Sequence, residues 1–529
     1  KKKQTKEEKK KKDEGNTVPF IARYRKEATG SLDEVQIKAV EDRYHYIQQL
    51  EQRKEEVLRL IQEQDKLTPE LENAIQIATV LQRVEDLYRP YKQKRRTKAT
   101  IAKEKGLEPL ADLLLEYRNG ALDQLAQDFV DNENVATEED ALAGARDILA
   151  ERFADDAGIR QKIRAFSWKD GVLATTLKNA ELDEKKVFEM YYEYEEPVNR
   201  IVPHRILAVN RGEKEEVIKV AIQVPIDRVL MIMWKEWIPA TGSSPAIAEV
   251  KLAIEDSYKR LIQPSIEREL RNELTEKAEA QAIHIFSENL RNLLLQPPLK
   301  GKYVLGVDPA YRTGCKLAVV DETGKMLEVT AIYSHPPKPD VAKSKAVVKE
   351  ILAKYPITII AIGNGTASRE TEQFIADVLS ELKTDVAYVI VNEAGASVYS
   401  ASEIARSEFP DLQVEQRSAV SIARRLQDPL SELVKIEPKA VGVGQYQHDV
   451  SQKKLSESLS FIVETAVNQV GVDVNTASAS LMQYVSGLSK TVAENIVKVR
   501  EENGQFTTRS QLKKIPRLGA KTYEQAIGF

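Results

Sequence analysis

Lys302-Tyr-Val-Leu-Gly-Val-Asp308-Pro-Ala-Tyr-Arg-Thr-Gly314-Cys-Lys-Leu-Ala-Val-Val-Asp321 is the stretch around which the 529-residue chain can be organised. A short apolar run, Tyr303 to Val307, ends at Asp308. A turn through Pro309 to Gly314 follows, and a second apolar run occupies Leu317 to Val320. Two such runs separated by turn residues predict a β-hairpin with a carboxylate at the tip of its first strand.

Downstream the pattern alternates. Strands are predicted at 302–308, 316–320, 326–333, 357–362 and 386–391, and helices at 341–354, 368–382, 396–408 and 417–427. Three strands followed by strands alternating with helices predict a mixed sheet covered by helices. The order resembles the RNase H-like topology. In nucleases of that fold, the position of Asp308 carries a metal-binding aspartate.

Upstream the chain reads as mainly helical. Apolar residues recur at helical spacing through Val35, Ile37, Val40, Tyr44, Ile47 and Leu50, and Ser31 stands as an N-cap before them. A second helix is predicted from Glu70 to Leu87, ended by Pro90. Long helices are predicted again from Ile247 to Leu295, broken at Pro264. The Pro297-Pro298 pair marks a linker. The expected organisation is a charged tail at 1–14, a helical N-terminal and central region at 15–298, an RNase H-like domain at 299–430, and linker helices with a hairpin domain at 431–529.

Composition narrows the function. Lys and Arg total 78 against 82 Asp and Glu, a net charge of −4, so no global cationic field draws in nucleic acid. Local patches or backbone amides must do so instead. Cys315 is the one cysteine, which excludes an internal disulfide and fits a reducing cytoplasm. One Cys and five His make a zinc site an unexpected feature. No apolar run of about 18 residues predicts a membrane span. The chain begins at Lys1 rather than Met, so this is not expected to be the native start.

Two local patches stand out. Between Arg89 and Lys105 lie eight basic residues, Arg95 and Arg96 among them, against the single acid Glu104, with Tyr88 and Tyr91 at the start. Basic groups beside aromatics could hold phosphates and stack a base. An ordinary solvated loop explains the same composition.

The other patch is repeated near the C-terminus. Val485-Ser-Gly487-Leu-Ser-Lys490 and Ile515-Pro-Arg517-Leu-Gly519-Ala-Lys521 each sit between helical segments. This is the helix-hairpin-helix signature. Glycine lets the turn bring its backbone close to a partner. The first amides of the following helix lack intrahelical acceptors and carry partial positive charge, so they can hold a phosphate without reading a base. Gly487, Lys490, Arg517, Gly519 and Lys521 are therefore the candidate contacts, with Arg95 and Arg96 as further ones. Hairpins that only pack together are the structural alternative.

Cleavage at Asp308 would require partners. Two-metal phosphodiester chemistry uses metal ions about 4 Å apart held by several carboxylates. Glu393, after the 386–391 strand, is the natural second ligand. A third is expected from the last helix, where Gln416 stands instead of an acid and Arg417 adds a cation. Asp308 and Glu393 thus read as vestigial, with no metal and no cofactor expected. Ser368 is expected to cap the helix after Gly363-Asn-Gly365-Thr366. His448 is expected to serve packing or a turn.

The chain resembles the Tex family of bacterial transcription accessory proteins. The resemblance rests on Asp13–Glu27, Tyr91–Gly106, His204–Glu213, Asp256–Arg260, Pro297–Lys316, Ile362–Glu372, Asn392–Ser402, Gly442–Ser451 and both hairpins. It implies a multidomain, mainly α protein with a helix-turn-helix element in the N-terminal region, a YqgF-type RNase H-like domain that does not cleave, and a helix-hairpin-helix domain. It also implies a C-terminal OB-fold RNA-binding domain, expected to be absent from a chain that stops at Phe529.

The expected function is a non-catalytic, sequence-independent scaffold binding RNA or DNA in transcription. It is expected to be cytoplasmic and monomeric, with RNA polymerase or the ribosome as candidate partners. The alternatives are a metal-dependent nuclease or resolvase using Asp308 and Glu393, and a protein-interaction scaffold on the transcription or translation machinery.

Overall fold

A computed structural model describes residues 15–131, 133–337 and 339–529. The charged run at 1–14 lies outside the described residues. The chain divides into two compact units, residues 42–281 and residues 1–41 with 282–529.

The 42–281 unit is helical, with a small antiparallel sheet of β1 (Val172–Leu177), β2 (Glu193–Pro197) and β3 (Ile218–Gln223) in the order β2-β1-β3. A buried ion network ties three of its helices together. Arg164 donates to both carboxylate oxygens of Asp86 at 2.9 Å, and the fully buried Arg160 donates to Glu269 at 2.7 Å and Ser265 at 2.8 Å. Buried charges persist only when paired in this way.

Some local expectations need correcting. The single helix expected from Glu70 to Leu87 is two, Pro69–Ile77 and Leu81–Tyr88, because Ala78 and Val80 are extended. Pro264 does not break its helix. A wide π turn at Ser257–Ile262 precedes it, and Gln263–Leu294 then runs on unbroken. The π turn shifts the hydrogen-bond register just where proline lacks a donor.

In the other unit the strands are β4 (Tyr303–Asp308), β5 (Cys315–Val320), β6 (Met326–Ile332), β7 (Ile357–Gly363) and β8 (Ala387–Val391). Their order is β6-β5-β4-β7-β8. β4 pairs antiparallel with β5 and parallel with β7, as β5 does antiparallel with β6 and β7 parallel with β8. Alternation sends Leu305 and Val307 to one face, against Phe374, Ile375 and Val378 of helix Ser368–Leu382. Val304, Ala318 and Ala361 meet Ala419, Val420 and Ala423 of helix Val414–Gln427 on the other.

This second contact is very close. A Cβ on Gly306 would stand 2.2 Å from the Ala419 carbonyl oxygen and 2.8 Å from the Ala423 Cβ. Glycine in the middle strand and alanine on the helix together allow the helix to lie on the sheet.

Two caps also differ from expectation. Asp33, not Ser31, caps the Glu34–Gln62 helix, because Ser31 is left-handed (φ 65°) while Asp33 and Gln36 exchange side-chain-to-backbone bonds. Ala367 (φ 67°) occupies the N-cap where Ser368 was expected, and Ser368 is already helical.

The N-terminal helix Val18–Tyr24 buries five of its residues, Val18 to Ala22. Helix Gln452–Val470 leads into the two C-terminal hairpins.

Gly306→Ala is expected to lower stability by about 3 kcal/mol, at the upper end of overpacking costs, because the contacting atom is backbone and cannot turn aside. Thermal unfolding would show it. An unchanged melting temperature would mean the helix approaches less closely.

Candidate functional site

Asp308 ends the central strand, and the ladder sets Lys316 of β5 directly opposite it. Lys316 is buried and its ammonium donates to the carbonyls of Thr313 and Gly314. Burial raises the Asp308 pKa to about 7, with Glu393 and Glu415 pushing the same way and Lys316 opposing.

Glu393 follows β8 and backs against a glycine turn. A Cβ at Gly363 would fall 2.3 Å from one of its carboxylate oxygens, and one at Gly365 only 1.6 Å from the other. These glycines leave the space that the Glu393 carboxylate occupies. The Glu393 backbone N–H donates to Asn364, and its Oε2 is buried without a hydrogen-bond partner. Burial pushes this carboxyl up as well, against the Gly365 N–H and the Arg425 charge.

The position expected to supply a third acid is Gln416. Its side chain accepts from the Gln413 N–H and so closes the helix N-terminus. Arg417 brings no charge to Asp308, since its guanidinium donates to the carbonyls of Phe409 and Ser400. The cation beside Asp308 is Lys316, and the acid of the last helix that acts on it is Glu415. Sequence reading missed both. Lys316 could have been found from hairpin register, whereas Glu415 needed the helix orientation. Asp428 caps the Pro429–Leu433 helix. Among the described residues, no three His, Cys, Asp or Glu side chains are grouped to hold a metal ion.

The two hairpins share one geometry. Val485–Leu488 and Ile515–Leu518 are tight turns closed by N–H to carbonyl bonds of 3.0 and 3.1 Å. The left-handed third residue is Gly487 (φ 80°) in one and Arg517 (φ 65°) in the other. Ser489 and Gly519 are the matching N-caps of helices Lys490–Asn503 and Ala520–Ala526. Gly519 therefore does not supply the turn's left-handed residue; its backbone is extended and a Cβ there would meet nothing. Gly487 is needed twice over, for its φ and because a Cβ would stand 2.7 Å from that of Gln525.

Each turn is held by the other hairpin. Gly487 packs on Gln525, and Asn495 donates to the Pro516 carbonyl at 2.9 Å. Gly487, Ser489, Arg517 and Gly519 are nevertheless exposed, and the Lys490 side chain is 77% exposed with a long contact to Glu494. Lys521 lies over Gly15, its ammonium 2.7 Å from where a Cβ would be.

The Arg89–Lys105 stretch is differently arranged. Arg89 and Lys94 pair with Asp155, and Arg96 pairs with Glu104 at 2.7 Å. Arg95 is exposed and makes no ion pair among the described residues. Tyr88 is buried, so its ring is not free to stack a base, and Tyr91 is half-buried against the same cluster.

These features define a multidomain, mainly helical protein with an RNase H-like domain and tandem helix-hairpin-helix motifs. Family models match accordingly: a Tex-like N-terminal domain at residues 1–62, a Tex central region at 119–286, a Tex YqgF-like domain at 302–427 and a helix-hairpin-helix motif at 467–529. The uncharacterized protein YdcI of Bacillus subtilis is 63% identical over 521 residues, 98% of this chain and 72% of its own length. The transcriptional accessory protein Tex of Neisseria gonorrhoeae is 46% identical over 522 residues, 98% of this chain and 68% of its own. The human S1 RNA-binding domain-containing protein 1 is 38% identical over 97% of this chain and 53% of its own length. The chain belongs to the Tex family. No described helix is long and apolar enough to cross a membrane.

An acid whose pKa is higher folded than unfolded binds a proton on folding. Stability is therefore lost as pH rises from the unfolded value toward the folded one. Raising Asp308 from 3.8 to about 7 corresponds to roughly 4 kcal/mol. Asp308→Asn is expected to outlast the parent in calorimetry by a margin that grows from pH 5 to pH 8. An equal margin at both pH values would show that Asp308 ionises freely.

Proposed function

We propose that this protein is a non-catalytic, sequence-independent nucleic-acid-binding scaffold acting in transcription. One observation carries the reading: the exposed start of helix Lys490–Asn503, entered through a left-handed glycine and flanked by the unburied Lys490. Phosphate is the ligand for which such a helix start is suited: Ser489 caps the Val492 N–H, while the Lys490 and Thr491 amides that open the helix and its dipole favour an anion. Arg517 lies in the left-handed position of the second turn and makes no ion pair among the described residues. Contacts of this kind grip backbone rather than base edges, so binding is indifferent to sequence and weakens with salt. The relatives' names, a transcriptional accessory protein and an S1 RNA-binding domain protein, point to the same process and ligand class.

The Asp308 pocket supports the non-catalytic half of the reading. Lys316 stands opposite Asp308 across the ladder, and Gln416 is occupied in closing a helix. The nuclease alternative would need Asp308 and Glu393 to act without a third grouped acid among the described residues. RNA, DNA or both as ligand, a polymerase or ribosome as partner, a monomeric state and a cytoplasmic location complete the proposal.

Lys490→Glu with Arg517→Gly is expected to weaken binding of labelled DNA and RNA about tenfold or more at low salt, equally across unrelated sequences. Arg517→Gly alone removes a side chain from a left-handed position, so it is expected to hold or raise the melting temperature while lowering affinity. Unchanged affinity in a filter-binding titration would end the assignment. Cleavage of the same probes with Mg²⁺ or Mn²⁺, lost in Asp308→Asn, would favour the nuclease.

A further inference from the structure

The hairpins do not hold their geometry alone. Gln525 is 3% exposed, and its side-chain amide joins Asn16 and Thr17. Its Oε1 accepts from the Thr17 N–H at 3.1 Å and the Thr17 hydroxyl at 3.2 Å, while its Nε2 donates to Asn16 at 2.6 Å. The Thr17 hydroxyl also bonds the hydroxyl of Ser486, one residue before the left-handed Gly487. Ser486 is buried, and its own N–H donates to Asn468 at 2.8 Å.

A single threonine thus touches the first turn through Ser486 and the second hairpin through Gln525. The same segment also grips the last helix of the second hairpin and the residues after it. Tyr24 donates its hydroxyl to the Gly528 carbonyl at 2.9 Å and packs edge-on against Phe529 at 5.6 Å, and Arg25 pairs with Glu524.

We infer that Thr17 is a positioning residue for the polyanion interface: the Gly15–Arg25 segment locks the two hairpin turns into one surface, so that a nucleic-acid backbone meets both together. The inference rests on the nucleic-acid-binding reading above. Its physical basis is that two phosphate contacts add fully only when their spacing is fixed before binding; a hinge between them lets one contact form at the expense of the other. Thr17 is suited to fix that spacing because its backbone N–H and hydroxyl are both committed to the junction.

The test uses the whole chain. Thr17→Val keeps the side-chain shape and removes the hydroxyl, Thr17→Ser keeps the hydroxyl, and Tyr24→Phe loosens the segment at an independent point. A fluorescein-labelled DNA duplex of arbitrary sequence and a labelled RNA strand are titrated across a salt series, with melting temperature and circular dichroism recorded for each variant. Thr17→Val is expected to bind about tenfold more weakly, with the slope of log affinity against log salt reduced by about one phosphate contact. Thr17→Ser is expected to restore both, and Tyr24→Phe to shift both in the same direction as Thr17→Val. Thr17→Val and Tyr24→Phe proteins that melt earlier but bind with parental affinity and slope would overturn the inference. Should Lys490→Glu with Arg517→Gly also bind normally, the nucleic-acid reading itself fails. If that pair abolishes binding while the Thr17 and Tyr24 variants do not alter it, only the inference falls.

Discussion

The approach of helix Val414–Gln427 to the central strand is the constraint from which the RNase H-like domain takes its form. It depends on Gly306, which has no side chain to hold the Ala419 carbonyl away. Alanines at 419 and 423 keep the helix side of the contact equally shallow. With the helix pinned there, Glu415 and Gln416 fall at the carboxyl end of β4, and Arg425 reaches the carbonyls of Asn392 and Ala394 beside Glu393. Close packing between small residues thus decides which groups surround Asp308.

The electrostatics follow from that placement. Asp308 and Glu393 are both half-buried and both act as weakened acids, because desolvation opposes their charge more strongly than Lys316 and Arg425 support it. Burial near a like charge is how many catalytic carboxyls are tuned. Here the surrounding groups turn to structural tasks. Gln416 closes a helix, Arg417 satisfies two carbonyls, and Gly363 and Gly365 make room for the Glu393 carboxylate.

The hairpin region is governed by reciprocity. Each turn rests on the helix of the other hairpin, through Gly487 against Gln525 and Asn495 on the Pro516 carbonyl. The turns need not be chemically alike for this. One meets its left-handed requirement with glycine, and the other accepts the cost of a left-handed arginine and gains an exposed cation. The N-terminal segment completes the arrangement from the far end of the chain.

Sequence alone determined the succession of strands and helices in the RNase H-like domain, the two hairpins, the family and the identity of the carboxylate at the β4 tip. These rest on local periodicity, turn chemistry and motifs, which are written in consecutive residues. The register that sets Lys316 opposite Asp308 was not read from the sequence, although the hairpin pattern carries it. Local caps and breaks were less legible: Asp33 displaced Ser31, Ala367 displaced Ser368, and Pro264 was absorbed by a π turn, each through a backbone choice that several sequences permit. Only the tertiary structure decided that Tyr88 is buried, that Arg89 and Lys94 pair with Asp155, and that Thr17 meets Ser486 and Gln525. Those outcomes depend on groups brought together from distant parts of the chain, where burial and charge pairing are set by packing rather than by any residue's neighbours in sequence.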